Sequence, residues 1–119
     1  MKIAFSTNGN TLESLLDTRF GRCSRFLILD TETNHYEILE NTQNLNAVQG
    51  AGIQSAQTVL ETGAQALITG HCGPKAFKVL HAAGIAVYLA DNRPIDELAK
   101  ALAAGTLAEL TDADVEGHW

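Results

Sequence analysis

The sequence predicts a single α/β domain on a mixed sheet with helices on its faces, and three observations carry the prediction. Apolar runs of strand length recur at residues 2–6 (KIAFS), 25–30 (RFLILD), 64–69 (AQALIT) and 85–89 (IAVYL). Before, between and after the last two runs, apolar residues return at helical spacing, and Gly63, Gly84 and Gly105 close the three helical stretches. Strand–helix–strand connections of that length imply parallel pairing, whereas segment 35–39 (HYEIL) follows 25–30 closely enough for an antiparallel hairpin.

Each element has its own signal. The first run ends in the turn-forming tetrad Thr7-Asn8-Gly9-Asn10. Residues 8–24 then read mostly as loop with one helical turn at 12–16, and the composition of 8–22 is that of a movable flap. The first helix is expected over 48–61, where Val48, Gly52, Ser55, Ala56, Val59 and Leu60 recur at helical spacing. The second spans 74–83, with Ala76, Phe77, Leu80 and Ala83 on one face and Pro74 in the first turn, where its missing N–H costs nothing. The third spans 94–104 and carries Asp96 and Glu97 at its positive end. A domain at 1–110 is thus followed by an acidic tail at 111–119.

Composition narrows the function. With 119 residues and 45% apolar content the chain can bury a real core. No apolar run approaches the ~20 residues of a membrane-spanning helix. The N-terminal MKIAFSTNGN turns polar too early for a secretory signal, so cytoplasm is the expected location and a monomer the simplest state. Cys23 and Cys72 are too few for a four-thiolate zinc site or a disulfide framework, although one long-range disulfide stays open. A net charge of −6 opposes a nucleic-acid partner. Yet the cations are gathered: Arg19, Arg22 and Arg25 fall close together, and Lys75 and Lys78 follow Cys72. An acidic chain that concentrates its cations at two points is suited to a local anion site, the other reading being a solvated loop.

Two segments carry the candidate chemistry. Thr69-Gly70-His71-Cys72-Gly73-Pro74-Lys75 lies where a strand ends and a helix begins, the usual place for ligands in open α/β sheets. Its glycines permit close backbone approach, its helix N-terminus favours an anion, and His71 and Cys72 are ligand types suited to copper and metal–sulfide species. Alternatively the glycines shape a turn and Cys72 is a small buried apolar residue. Asp17-Thr18-Arg19-Phe20-Gly21-Arg22-Cys23-Ser24 closes the long loop. Here arginines can cradle an oxyanion or a sulfide cluster, and Cys23 beside Arg22 is expected to have a lowered pKa; a turn with solvated arginines is the other reading.

These segments, with QGAGIQSAQTVLETGAQALITGHCGPKAFKVLHAAGIAVYLA, resemble the dinitrogenase iron–molybdenum cofactor biosynthesis family from Met1 to about residue 107. The most specific elements are RFGRC, the GAGI helix start at 50–53 and the strand–Gly-x-x-Gly-Pro–helix turn. The resemblance implies a ribonuclease-H-like fold with a five-stranded mixed sheet. It also implies a non-catalytic protein that binds or carries an anionic metal–sulfur cluster of molybdenum–copper sulfide, iron–molybdenum or iron–sulfur type, with cluster donor or acceptor proteins as partners. Carried onto this chain, Arg19, Arg22, Thr69, Gly70, Gly73, Pro74 and Lys75 would form the cradle, and Cys72, His71 and Cys23 the metal contacts. Family members often hold other residues where Cys23 and Cys72 stand, so ligation by both thiols is not implied.

Rival classes leave weaker traces. A two-metal nuclease needs clustered carboxylates beginning on the first strand, and KIAFS has none. A phosphate- or nucleotide-binding enzyme could use the same glycine turn, but GxxxxGK[ST] and GxGxxG are absent. A cofactor-free interaction module is the third possibility.

Overall fold

The computed structural model describes residues 1–41 and 50–111; the expected helix start at Val48 and the tail at 112–119 lie outside them. In chain order the elements are β1 (Lys2–Thr7), a 3-10 turn (Phe20–Arg22), β2 (Arg25–Asp30), β3 (Tyr36–Glu40), α1 (Ala51–Glu61), β4 (Ala66–Thr69), α2 (Pro74–Ala82), β5 (Ala86–Leu89), α3 (Ile95–Ala103) and β6 (Ala108–Leu110). The strands form one mixed sheet in the order β3-β2-β1-β4-β5-β6.

β1 pairs antiparallel with β2 and parallel with β4, while β4 pairs parallel with β5. Covered on both faces, β1, β2 and β4 read as continuous apolar runs rather than alternating ones. One core layer joins Ala4, Phe26, Ile28, Leu67 and Val87 to α1, α2 and the 3-10 turn. The other joins Ile3, Phe5, Leu27 and Ile68 to Leu16 and the α3 residues Ile95 and Leu98. The odd and even positions of β1 thus feed opposite layers.

Where the family resemblance implies five strands, the sheet has six. Its extra strand, β6, pairs antiparallel with β5 through Val87 with Leu110, Tyr88 with Glu109 and Leu89 with Ala108. Three residues with a single buried side chain leave no periodic signal, so the sequence assigns no element between the third helix and the tail. The loop at 8–22 also differs from a flap. Leu16 N–H donates to the Arg93 carbonyl (3.0 Å) and Asn92 Nδ2 to the Leu16 carbonyl (3.0 Å), which fastens the loop to the start of α3.

Leu110 is 8% exposed and closes the layer beneath α1 and α2. Leu110→Ala is expected to lower unfolding stability by about 2 kcal/mol in a urea titration. An unchanged midpoint would mean that β6 adds nothing to the folded unit.

Candidate functional site

β1, β4 and β5 run parallel, so Thr7, Thr69 and Leu89 finish at the same edge of the sheet. At this edge a short parallel bridge joins Arg19 to His71. His71 N–H donates to the Thr18 carbonyl (2.7 Å) and Phe20 N–H to the His71 carbonyl (3.3 Å). The two segments singled out in the sequence are therefore brought together, backbone to backbone. Gly70 permits the approach: a Cβ there would sit 2.7 Å from Thr18 Cα, closer than carbon atoms tolerate. Thr69 lies buried below, its Oγ1 2.8 Å from Ser6 Oγ, which donates to the Asp17 carbonyl (2.6 Å).

Beside the bridge a groove of about 360 Å³ opens between the 3-10 turn and the first turns of α1 and α2. Phe20, Gly21, Gly50, Ile53 and Gly52 line one part of it, and His71, Gly73, Pro74, Lys75 and Ala76 the other. The two helices meet closely, since a Cβ on Gly52 would stand 3.5 Å from that of Ala76. Sequence reasoning placed His71, Gly73, Pro74 and Lys75 here. Phe20 and Gly21 belong to the RFGRC loop that the family resemblance points to, whereas Gly50, Gly52 and Ile53 were missed as site residues, the glycine-rich GAGI start of α1 being the available signal.

The helix N-termini at this groove are left open. α1 and α2 begin after Gly50 and Gly73, and neither has a side-chain cap. The N–H groups of Gly52, Ile53, Lys75 and Ala76 have no partner among the described residues. α3 is treated differently: Ile95 N–H donates to the Ser14 carbonyl and Asp96 N–H to the Leu12 carbonyl, each at 2.9 Å. Unpaired N–H groups at a helix start carry partial positive charge and select anions. Lys75 adds a full charge and, among the described residues, is in no ion pair.

The remaining predicted residues stand elsewhere. Cys23 and Cys72 both point into the core and are 1% exposed. Burial pushes each thiol up to about 12, with the Asp17 charge adding to the rise at Cys23. The lowered pKa expected for Cys23 is therefore reversed: beside Arg22 in sequence, it is shut away from solvent in the fold. Arg22 is exposed next to Gly21 without lining the groove.

Arg19 is committed to Asp17. Its N–H donates to Asp17 Oδ1 (2.9 Å), its Nε to the same oxygen (3.1 Å) and its Nη2 to Oδ2 (3.0 Å). Asn8 Nδ2 adds a further bond to Oδ2 (2.7 Å). The larger cavity that Arg19 borders, about 490 Å³, thus has a cation already neutralised by Asp17 on the same wall. The Asp-x-Arg spacing was the readable sign of this pair. Among the described residues no group of three His, Cys, Asp or Glu could hold a bare metal ion, and no helix is long and apolar enough to cross a membrane.

The structure is thus an open α/β sheet in which, among the described residues, two helix starts without side-chain caps face one groove. The chain belongs to the dinitrogenase iron-molybdenum cofactor family, whose profile matches residues 1–105. It is similar to the orange protein of Desulfovibrio gigas, whose apo structure shares 34% identity and a TM-score of 0.86 over 92% of both chains. A NifB-like protein from Thermotoga gives 33% identity and a TM-score of 0.79 over 98% of both. An uncharacterised protein of Methanocaldococcus jannaschii is 38% identical, over 90% of this chain and 89% of its own.

Burial alone would raise the Asp17 carboxyl, but hydrogen bonds from Arg19 and Asn8 outweigh it and hold the group below its ordinary 3.8. Because the folded value is the lower one, this contribution is fully present above about pH 4 and is lost as pH falls through the folded pKa. Wild type is expected to be more stable than Asp17→Asn at pH 6, and urea titrations should show that advantage shrinking below pH 4. A gap that stays constant with pH would contradict the pairing.

Proposed function

We propose that this protein binds and carries a preformed, anionic, molybdenum-containing metal–sulfide cluster in the groove between the 3-10 turn, α1 and α2. The cluster is cargo of the molybdenum–copper sulfide or iron–molybdenum type, and the protein performs no reaction on it. One contrast supports the reading above the rest. The fold satisfies N-terminal amides of α3 internally, yet among the described residues those at the starts of α1 and α2 find no partner around one groove.

The residues present fit such a cargo. Each helix start contributes the equivalent of about half a positive charge, and Lys75 a whole one. Phe20, Ile53, Pro74 and Ala76 give the groove apolar walls, which favour large, soft, weakly hydrated sulfide anions over strongly hydrated phosphate. Its volume of about 360 Å³ is within the range of small-ligand sites. His71 on the rim is the available imidazole. With both thiols in the core, charge and hydrogen bonds do the holding, while Arg22 adds a cation near the rim and the paired Arg19 adds none. The family's printed subject, the dinitrogenase iron-molybdenum cofactor, and the likeness to the orange protein support a molybdenum-containing cargo.

The glycine caps give a test that separates binding from stability. Gly73 has φ −64° and ψ 163°, the geometry of an Asp N-cap, and a Cβ there meets nothing within 4 Å. An aspartate would satisfy the α2 amides from within and place a negative charge at the groove. Gly73→Asp is therefore expected to raise unfolding stability by a few tenths of a kcal/mol while weakening cargo binding about tenfold.

The assay is reconstitution of the apo protein with tetrathiomolybdate and a copper(II) salt, followed by desalting, visible absorption and metal analysis. Retained colour at a fixed molybdenum-to-copper ratio, undisturbed by excess inorganic phosphate and reduced in Gly73→Asp and Lys75→Ala, is the expected result. Colourless wild-type protein would remove the molybdenum–copper assignment. Displacement by phosphate would favour a phosphate-binding role instead.

A further inference from the structure

Cys23 is buried against the groove rather than open to it, and its surroundings give it a different task. Its Sγ donates to the Phe20 carbonyl (3.3 Å), and Phe20 forms one wall of the groove. Asn41, 7% exposed and immediately after β3, reaches the same cysteine: its Nδ2 donates to the Cys23 carbonyl (2.9 Å) and lies 3.6 Å from Sγ. That Nδ2 also donates to Ser55 Oγ (3.0 Å), and Ser55 Oγ in turn donates to Asn41 Oδ1 (3.2 Å). Ser55 is fully buried on α1, just beyond the groove residues Gly52 and Ile53. A further bond, from Asn41 N–H to the Ser24 carbonyl (2.9 Å), fixes the asparagine to the end of the loop.

These contacts make one continuous buried connection from the Phe20 wall, through Cys23 and Asn41, to α1. We infer that Cys23 and Asn41 are positioning residues that set the spacing between the 3-10 turn and α1, and so the width of the groove. The inference rests on the proposed cargo-binding role for its functional meaning, but its geometry belongs to the protein alone. Asn suits the junction because one side chain must donate twice and accept once; Asp cannot donate, and Ala would strand the buried Ser55 hydroxyl and Cys23 carbonyl. Cys23 acts here as a thiol donor, so a hydroxyl can replace it; a metal-ligating thiolate could not be replaced so simply.

The test compares Cys23→Ser, Cys23→Ala, Asn41→Ala and the milder Ser55→Ala. Tetrathiomolybdate with copper(II) is the probe, and amide hydrogen exchange of the apo proteins runs beside it. Expected is an affinity loss of about five- to tenfold for Cys23→Ala and Asn41→Ala. Cys23→Ser should keep both the affinity and the visible spectrum of wild type, with Ser55→Ala intermediate. Should Asn41→Ala fail to fold, the Cys23→Ala, Ser55→Ala and Cys23→Ser results decide. Loss of the cluster or shifted absorption bands in Cys23→Ser would overturn the inference, because they would make the sulfur a ligand. Wild-type affinity in both Cys23→Ala and Ser55→Ala would overturn it as well. If wild type retains no cluster, the cargo reading fails and the exchange data judge the positioning role. Faster exchange at Arg22 and Cys23 in Cys23→Ala, restored in Cys23→Ser, supports it; unchanged exchange refutes it.

Discussion

The candidate site of this protein depends on a two-bond parallel bridge between residues 18–20 and His71. Through it a segment more than fifty residues earlier in the chain is added to the end of β4 and becomes a wall for the first turn of α2. The bridge exists only because Gly70 has no side chain to hold Thr18 away. It is braced from below by Ser6 and Thr69, and from the side by the Asp17 carboxylate, which gathers Arg19 and Asn8. Asn8 serves twice, since its Oδ1 also accepts from Ser24 N–H (2.8 Å) at the far end of the loop. A loop held at both ends by one asparagine is a preformed wall.

Around that wall the fold leaves the common helix-capping devices unused. A Ser or Asp at a helix start is the common way to satisfy free amides, and α1 and α2 forgo it at Gly50 and Gly73. Nearby, α3 shows that the chain can complete a helix start with loop carbonyls. Helix starts that find no partner among the described residues cost little where the groove is open to water. It leaves a positively polarised, apolar-sided cleft on a chain whose net charge is −6.

Much of this was legible in the sequence, and the illegible parts share a cause. Strands buried on both faces, glycine-terminated helices and Pro74 at a first turn are local signals, and the elements lie within a few residues of where they were expected. That the two glycine-bearing segments meet at one sheet edge was legible as well, because glycines beside chemistry-bearing residues at a strand end mark a close backbone approach. Side-chain direction was not. Arg22, Cys23 and Ser24 alternate exposed, buried, exposed, as His71 and Cys72 alternate exposed and buried. One residue of register decides whether a thiol meets a ligand or the core, and tertiary packing sets that register. β6 escaped notice for want of length, and the α1 wall because its glycines carry no chemistry of their own.

The most direct test of the account is amide chemical-shift mapping of the isotope-labelled apo protein titrated with tetrathiomolybdate and copper(II). The account predicts the largest changes at Gly21, Gly52, Ile53, Lys75 and Ala76, with little change at Leu15 or Asn92 in the neighbouring cavity. Changes centred on that cavity or on the β2–β3 hairpin, or none at all, would contradict it.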